Sequence, residues 1–257
     1  MTPKPLILVT NDDGITAPGL RLLIRLMSEL GDVVVVAPDK PQSAMGHAIT
    51  INSTLYINQH NGHQDGAMAE YSTSGTPSDC VKLALNELLD RRPDLCVSGI
   101  NHGSNSAINV IYSGTMSAAI EAGIEGIPAI GFSLCNFKWE ADFSAFAPFI
   151  TKITKEALEK KIPPGVVLNV NAPNISEIKG IKVCRQAKSN WKEKFDKRTN
   201  PMGKEYYWLS GEFDLQDKGE DTDEWALSQG YISIVPTQFD LTAHHSIPTI
   251  NNWELNE

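Results

Sequence analysis

The residues best suited to chemistry stand where an apolar run stops at two adjacent carboxylates, Leu6-Ile7-Leu8-Val9-Thr10-Asn11-Asp12-Asp13-Gly14. An unbroken Leu/Ile/Val run bounded by turn residues suits a parallel strand covered on both faces, and open sheets of that kind bind ligands beyond the carboxyl ends of their strands. Neighbouring side chains on a regular strand point to opposite faces. Asp12 and Asp13 therefore converge on one ion only if the chain leaves the strand there, a departure that Gly14 permits. Taken alone, Asp-Asp-Gly also reads as a solvated turn.

Two more strand ends offer partners. Ser43 lies in the loop Pro38 to Gly46, after the apolar run Val33 to Ala37. Asn101 lies in Gly99-Ile100-Asn101-His102-Gly103-Ser104-Asn105, after the short run Leu95 to Ser98. Asp12, Asp13, Ser43 and Asn101 make an all-oxygen set of the type that Mg²⁺ or Mn²⁺ prefers over Zn²⁺. His102 is either a proton donor or a loop residue, and spacing does not separate the two. Tyr112-Ser113-Gly114-Thr115-Met116 opens a helix with small residues. Its unpaired N–H groups and the hydroxyls of Ser113 and Thr115 suit a phosphate, although capping by either hydroxyl accounts for the same pattern. His60 and His63 form a His-x-x-His pair in a polar tip without acidic or sulfur companions, which reads as a solvated loop before a metal site. The acidic run Asp217 to Glu224 reads as a solvated face or a second cation site.

The elements that must position these groups follow an α/β rhythm. Leu20, Leu23, Ile24, Met27 and Leu30 recur at helical spacing between the first two strands. Residues Ala48 to Ile57 and Ala67 to Thr73 read as a β-excursion that leaves the main sheet. Thr76-Pro77 caps a helix through Leu89, Ala129 to Leu134 is a strand, Phe143 to Lys161 a long helix and Val166 to Val170 a strand. Beyond about Ile181 the rhythm is lost. Val183 to Ala187 and Glu205 to Gly211 read as strands flanking the charged segment Lys188 to Lys204, with Trp191, Phe195, Tyr206, Tyr207 and Trp208 nearby as a partner surface or local packing.

A chain of 257 residues with 41% hydrophobic and 21% charged residues can bury a substantial core. Its net charge of -9 argues against holding long nucleic acid on a basic surface. No apolar run is long enough to span a bilayer and no signal-peptide pattern opens the chain, so a soluble cytoplasmic protein without a membrane partner is expected. Cys80, Cys96, Cys135 and Cys184 are scattered and read as free thiols. A dinucleotide oxidoreductase is disfavoured, because G-x-G-x-x-G is missing and two carboxylates stand where a pyrophosphate would approach. A metal-dependent phosphate ester hydrolase uses the same carboxylates productively. The alternative is a non-catalytic, metal-dependent nucleotide-binding regulator.

Several separated motifs in order resemble those of the stationary-phase survival protein SurE family. They are Leu8-Val9-Thr10-Asn11-Asp12-Asp13-Gly14 with Ala17-Pro18-Gly19, Gln42-Ser43, Ser74-Gly75-Thr76-Pro77, Ser98-Gly99-Ile100-Asn101-His102-Gly103, Tyr112-Ser113-Gly114-Thr115, and Gly230-Tyr231-Ile232-Ser233 with Asp240-Leu241-Thr242. The resemblance implies a nucleoside monophosphate phosphatase, a 5'-nucleotidase, with 3'-nucleotides and short polyphosphate as candidate further substrates. It implies one divalent cation per subunit, Mg²⁺ or Mn²⁺, at Asp12, Asp13, Ser43 and Asn101. Asp12 and Asp13 would be catalytic, with the substrate phosphate at Ser113, Gly114 and Thr115. Dimers or tetramers that exchange C-terminal segments are also implied. The chain departs from the family pattern at Ser106, where Gly is usual, and at Met116-Ser117-Ala118-Ala119, where Val-Gly-Ala-Ala is usual. The expected architecture is a Rossmann-like three-layer α/β sandwich with a mostly parallel sheet, a catalytic core over residues 1–180, and a β-rich extension over residues 181–257 used in oligomerisation.

Overall fold

The computed structural model describes residues 4–60, 65–253 and 255. His63 of the polar tip lies outside them. Strand β1 (Leu6–Thr10) leads through helix α1 (Pro18–Ser28) to β2 (Asp32–Pro38), β3 (Ile57–His60) and β4 (Ala69–Thr73). Helix α2 (Pro77–Leu83), extended by a π-helical turn, precedes β5 (Leu95–His102), α3 (Gly114–Ile124), β6 (Ala129–Leu134), α4 (Ala147–Lys160) and β7 (Val166–Ala172). The remainder holds β8 (Ile181–Val183), β9 (Ser189–Thr199), β10 (Glu205–Leu215), α5 (Asp223–Ser228), β11 (Ile232–Gln238) and α6 (Ile247–Asn251).

β1 is the middle of the three layers, and all of its residues are buried. The pleat sends Ile7 and Val9 into one core with Leu20, Leu23, Ile24 and Met27 of α1 and Ile150 and Ile153 of α4. Leu6 and Leu8 enter the other core with Cys80 and Val81 of α2 and Met116, Ala118 and Ala119 of α3. Helix starts are fixed by the expected chemistry. Thr76 Oγ1 accepts from the N–H of Asp79 at 3.1 Å, while Asp79 Oδ2 accepts from the N–H of Thr76 at 2.9 Å, closing a capping box at α2.

The strands form a nine-stranded sheet in the order β3-β4-β2-β1-β5-β6-β7-β11-β8. All neighbours run parallel except β3 against β4 and β11 against β7. The expected excursion does not leave the sheet. β4 pairs in parallel with β2, and β3 forms the antiparallel edge beside it. Its exposed, polar residues gave no apolar alternation to read. Nor does residue 180 mark an edge of the sheet, since β11 and β8 lie beyond it and complete the opposite side. The charged segment after Lys188 is itself β9, paired with β10 in a separate two-stranded hairpin. The chain passes from β1 to β2 on one side and to β5 on the other, which places a topological switch point at the carboxyl ends of β1 and β5.

α1 packs so closely on β5 that a Cβ at Gly19 would overlap the carbonyl oxygen of Ile100, the residue before Asn101. Gly19→Ala should therefore destabilise the protein by about 1–3 kcal/mol, measured as a lower chemical denaturation midpoint. An unchanged midpoint would show that the close approach is dispensable.

Candidate active site

At the switch point the chain leaves β1 as expected. Gly14 adopts φ +98°, and Asn11 locks the turn, its Nδ2 donating to the Gly14 carbonyl at 3.0 Å and its Oδ1 accepting from the Gly14 N–H at 3.2 Å. The N–H of Gln42 donates to the Asp12 carbonyl at 2.8 Å, which ties the Ser43 loop to the Asp pair. β5 continues through a register shift past Ser98, so Asn101 and His102 belong to the strand and not to the loop after it. The outcome is a cavity of about 310 Å³ walled by Asp12, Asp13, Ser43, Asn101, Ser113 and their neighbours. Ser113 caps α3 by accepting from the N–H of Met116 at 3.0 Å.

The electrostatics are one-sided. No Lys or Arg is among the described residues that line the cavity. Asp12 is buried, and its pKa is pushed up from 3.8 to about 6, first by desolvation and then by the negative charge of Asp13. Donation from Thr115 acts against that rise. Asn101 commits its Nδ2 to the Gly103 carbonyl at 2.9 Å, which leaves its Oδ1 as a ligand atom. Adjacent carboxylates with no Lys or Arg to offset their mutual repulsion, and with an amide oxygen and a hydroxyl beside them, fit a hard divalent cation. Among the described residues no three His, Cys, Asp or Glu side chains gather into a metal cage, so any cation here depends on those neutral oxygens.

Two residues expected at the phosphate also make close contacts within the chain. The Thr115 hydroxyl does not face the cavity but donates to Asp12 Oδ1 at 2.5 Å and is fully buried. A Cβ at Gly114 would come within 2.7 Å of the Asp12 Cβ and 2.9 Å of its Oδ2, so the close approach that needs glycine is to Asp12. The first turn of α3 thus embraces a carboxylate of the chain itself. His102, left open as proton donor or loop residue, is a buried partner of Asp13. Its Nδ1 lies 2.9 Å from Asp13 Oδ2, which makes Nδ1 the protonated nitrogen, and its backbone N–H donates to the same oxygen at 3.2 Å. Nε2 is enclosed without a partner, and the ring stacks on Trp139 at 5.5 Å and meets Phe143 edge-on at 5.2 Å.

Sequence reasoning missed a polar network beneath the Asn101 loop. The N–H of Asn105 donates to Asn171 Oδ1 and Asn105 Nδ2 to Ser133 Oγ, while Asn169 Nδ2 donates to the Asn105 carbonyl, each at 2.8 Å. The available signal was Asn at alternate positions of the otherwise apolar β7, which puts both amides on one face of a buried strand. The acidic run after Asp217 also does more than meet solvent. Asp217 and Asp221 bind Arg185, and buried Asp223 accepts from the N–H groups of Ala107 and Ala187 at 2.8 and 2.9 Å. His60 lies 2.7 Å from Ser72 Oγ. Cys80, Cys96, Cys135 and Cys184 are free thiols.

An α/β sheet with paired carboxylates at its switch point defines an acidic ligand site of the open-sheet type. Comparison places the chain more narrowly. Residues 7–193 match the family described as "Survival protein SurE", and the chain belongs to that family. It is 69% identical to the "5'-nucleotidase SurE" of Flavobacterium psychrophilum over 99% of each chain. Identity to the protein of the same name from Chlorobium limicola is 42%, over 99% of this chain and 98% of that one. The crystal structure of the SurE protein from Aquifex aeolicus superposes with a TM-score of 0.82 at 40% identity, covering 96% of this chain and 98% of that one.

Because the Thr115 hydroxyl holds down the Asp12 pKa, Thr115→Val should raise it further above 6, by roughly one unit or more. NMR titration of the Asp12 carboxyl carbon in the metal-free protein reads this directly, and a pKa that stays put would remove Thr115 from the electrostatics of the site.

Proposed function

We propose that this protein is a cytoplasmic, divalent-metal-dependent phosphomonoesterase that releases phosphate from nucleoside 5'-monophosphates. The observation that carries the reading is charge: two converging carboxylates and no Lys or Arg line the described cavity, so an anionic substrate is favoured there in company with a cation. The name of the relatives supplies the nucleotide. Asp12, Asp13, Ser43 and Asn101 would hold one Mg²⁺ or Mn²⁺. When bound, the ion polarises a phosphoryl oxygen, lowers the pKa of the attacking water and offsets transition-state charge.

The chain's own residues do the positioning. Thr115 fixes one oxygen of Asp12, and the other accepts the proton of the attacking water. His102 holds Asp13 in place through its backbone and ring nitrogens. Ser113 and the N–H of Gly114 at the start of α3 receive the phosphate, aided by the positive end of the helix dipole. The hairpin of β9 and β10 holds subunits together in a dimer or tetramer, a reading supported by the exposure of Phe195, Trp208 and Leu209, each above 60%.

Chelator should abolish phosphate release from nucleoside 5'-monophosphates, and Asp12→Asn and Asp13→Asn should each lower kcat roughly 10²-fold or more. Asp12→Asn should remain folded, because it removes a charge whose burial is unfavourable. Full turnover in the presence of chelator would overturn the reading.

The proton linkage gives a second check. Asp12 has a folded-state pKa raised above its ordinary 3.8, so its ionisation costs stability at pH values above about 6 and costs nothing below 3.8. Mg²⁺ or Mn²⁺ should therefore raise Tm more at pH 7.5 than at pH 5, where the proton competes for the same oxygens. A larger increase at pH 5 would contradict this assignment of the ligands. Light scattering should show at least a dimer, and a monomer after replacement of the hairpin segment 192–212 by a short linker.

A further inference from the structure

Beside the acidic cavity lies a second one of about 390 Å³, a volume in the range of small-molecule sites. The two share Ser104, Asn109, Phe137 and Trp191 as walls, so a ligand anchored at the carboxylates extends directly into the second. Its lining differs in kind. Phe137, Trp191 and Phe213 supply aromatic faces, and Phe137 is 82% exposed although nothing in the fold requires a phenylalanine in solvent. Trp191 is fixed in place, its Nε1 donating to Asn109 Oδ1 at 2.9 Å and its ring meeting Phe213 edge-on at 5.5 Å. An oriented indole between two cavities is a stacking platform for a planar heterocycle.

The polar groups narrow the choice of ring. Asn109 gives its oxygen to Trp191, which leaves its Nδ2 to donate. Glu224 lines the same cavity and accepts the Ser106 hydroxyl on Oε1, leaving Oε2 as an acceptor. A carboxylate only accepts, so it suits a base edge that presents adjacent N–H donors, and among the common bases guanine offers a ring N–H beside an amino group. An acceptor on that same edge, the carbonyl of guanine, matches the Asn109 donor. We propose that this second cavity is a guanine subsite, with Phe137 and Trp191 stacking on the base and Glu224 reading its N–H edge. The proposal rests on the phosphomonoesterase reading and names 5'-GMP as the preferred substrate.

Guanosine, which carries no phosphate, tests the subsite without turnover. Calorimetric titration should show guanosine binding about tenfold more tightly than adenosine. Phe137→Ala and Trp191→Ala should each weaken guanosine about tenfold, and Trp191→Phe should recover most of the loss. Glu224→Gln should bring the guanosine-to-adenosine ratio close to one. The same variants should lower the ratio of kcat/KM for 5'-GMP over ribose 5-phosphate, a base-free control. Phe137 is the safer probe, since its exposed ring contributes little to folding. The subsite is overturned if guanosine does not bind, if adenosine binds equally well, or if neither aromatic variant changes the guanosine affinity. Guanosine binding that follows the expected pattern, with no release of phosphate from either 5'-GMP or ribose 5-phosphate, would uphold the subsite and refute the hydrolase reading.

Discussion

The structure around the switch point is arranged about one unfavourable interaction, the juxtaposition of the Asp12 and Asp13 carboxylates. Desolvation by burial, and then the negative charge of Asp13, raise the pKa of Asp12, and no Lys or Arg of the described cavity relieves it. What the protein supplies are hydrogen-bond donors. The Thr115 hydroxyl serves Asp12, while the backbone and ring of His102 serve Asp13. These donors orient the acids, and with no Lys or Arg in the described cavity the demand for positive charge falls on whatever enters. A lysine in the same place would give a quieter site with less need of a cation.

The same constraint reaches into the scaffold. Helix α3 approaches Asp12 so closely that position 114 tolerates no side chain without displacement. On the other side α1 presses on Ile100, and the Asn105, Asn169 and Asn171 network braces the following loop. Precision at the carboxylates is thus held by elements drawn from β1, β5, α1, α3 and β7. Sub-ångström placement of that sort comes from packed secondary structure, not from the loops that carry the acids.

Much of this was legible because buried parallel strands advertise themselves. The runs at Leu6, Val33, Leu95, Ala129 and Val166 could be ordered, and their carboxyl ends brought Asp12, Asp13, Ser43 and Asn101 to one cavity. Legibility failed where strands lack an apolar face. β3 and β9 expose most of their residues, so nothing in their polarity distinguished strand from loop, or the sheet edge from a projecting hairpin. It failed again at Thr115 and His102, where the residue type was noticed but its partner was not. A hydroxyl at a helix start serves a phosphate, a cap or a neighbouring carboxylate equally well by composition, and only the distance to Asp12 separates these.

Strand β9 carries Trp191 near its base, at the wall shared by both cavities, and ends at Thr199 in solvent. At roughly 3.4 Å per residue this is a lever of about 27 Å with a binding-site residue close to its fulcrum. Every residue of β9 from Trp191 to Thr199 is paired with β10, so the exposed tip and the wall of the cavities share one continuous ribbon. Crowding of the tip by another macromolecule and order in the cavity are, in mechanical terms, two ends of one beam.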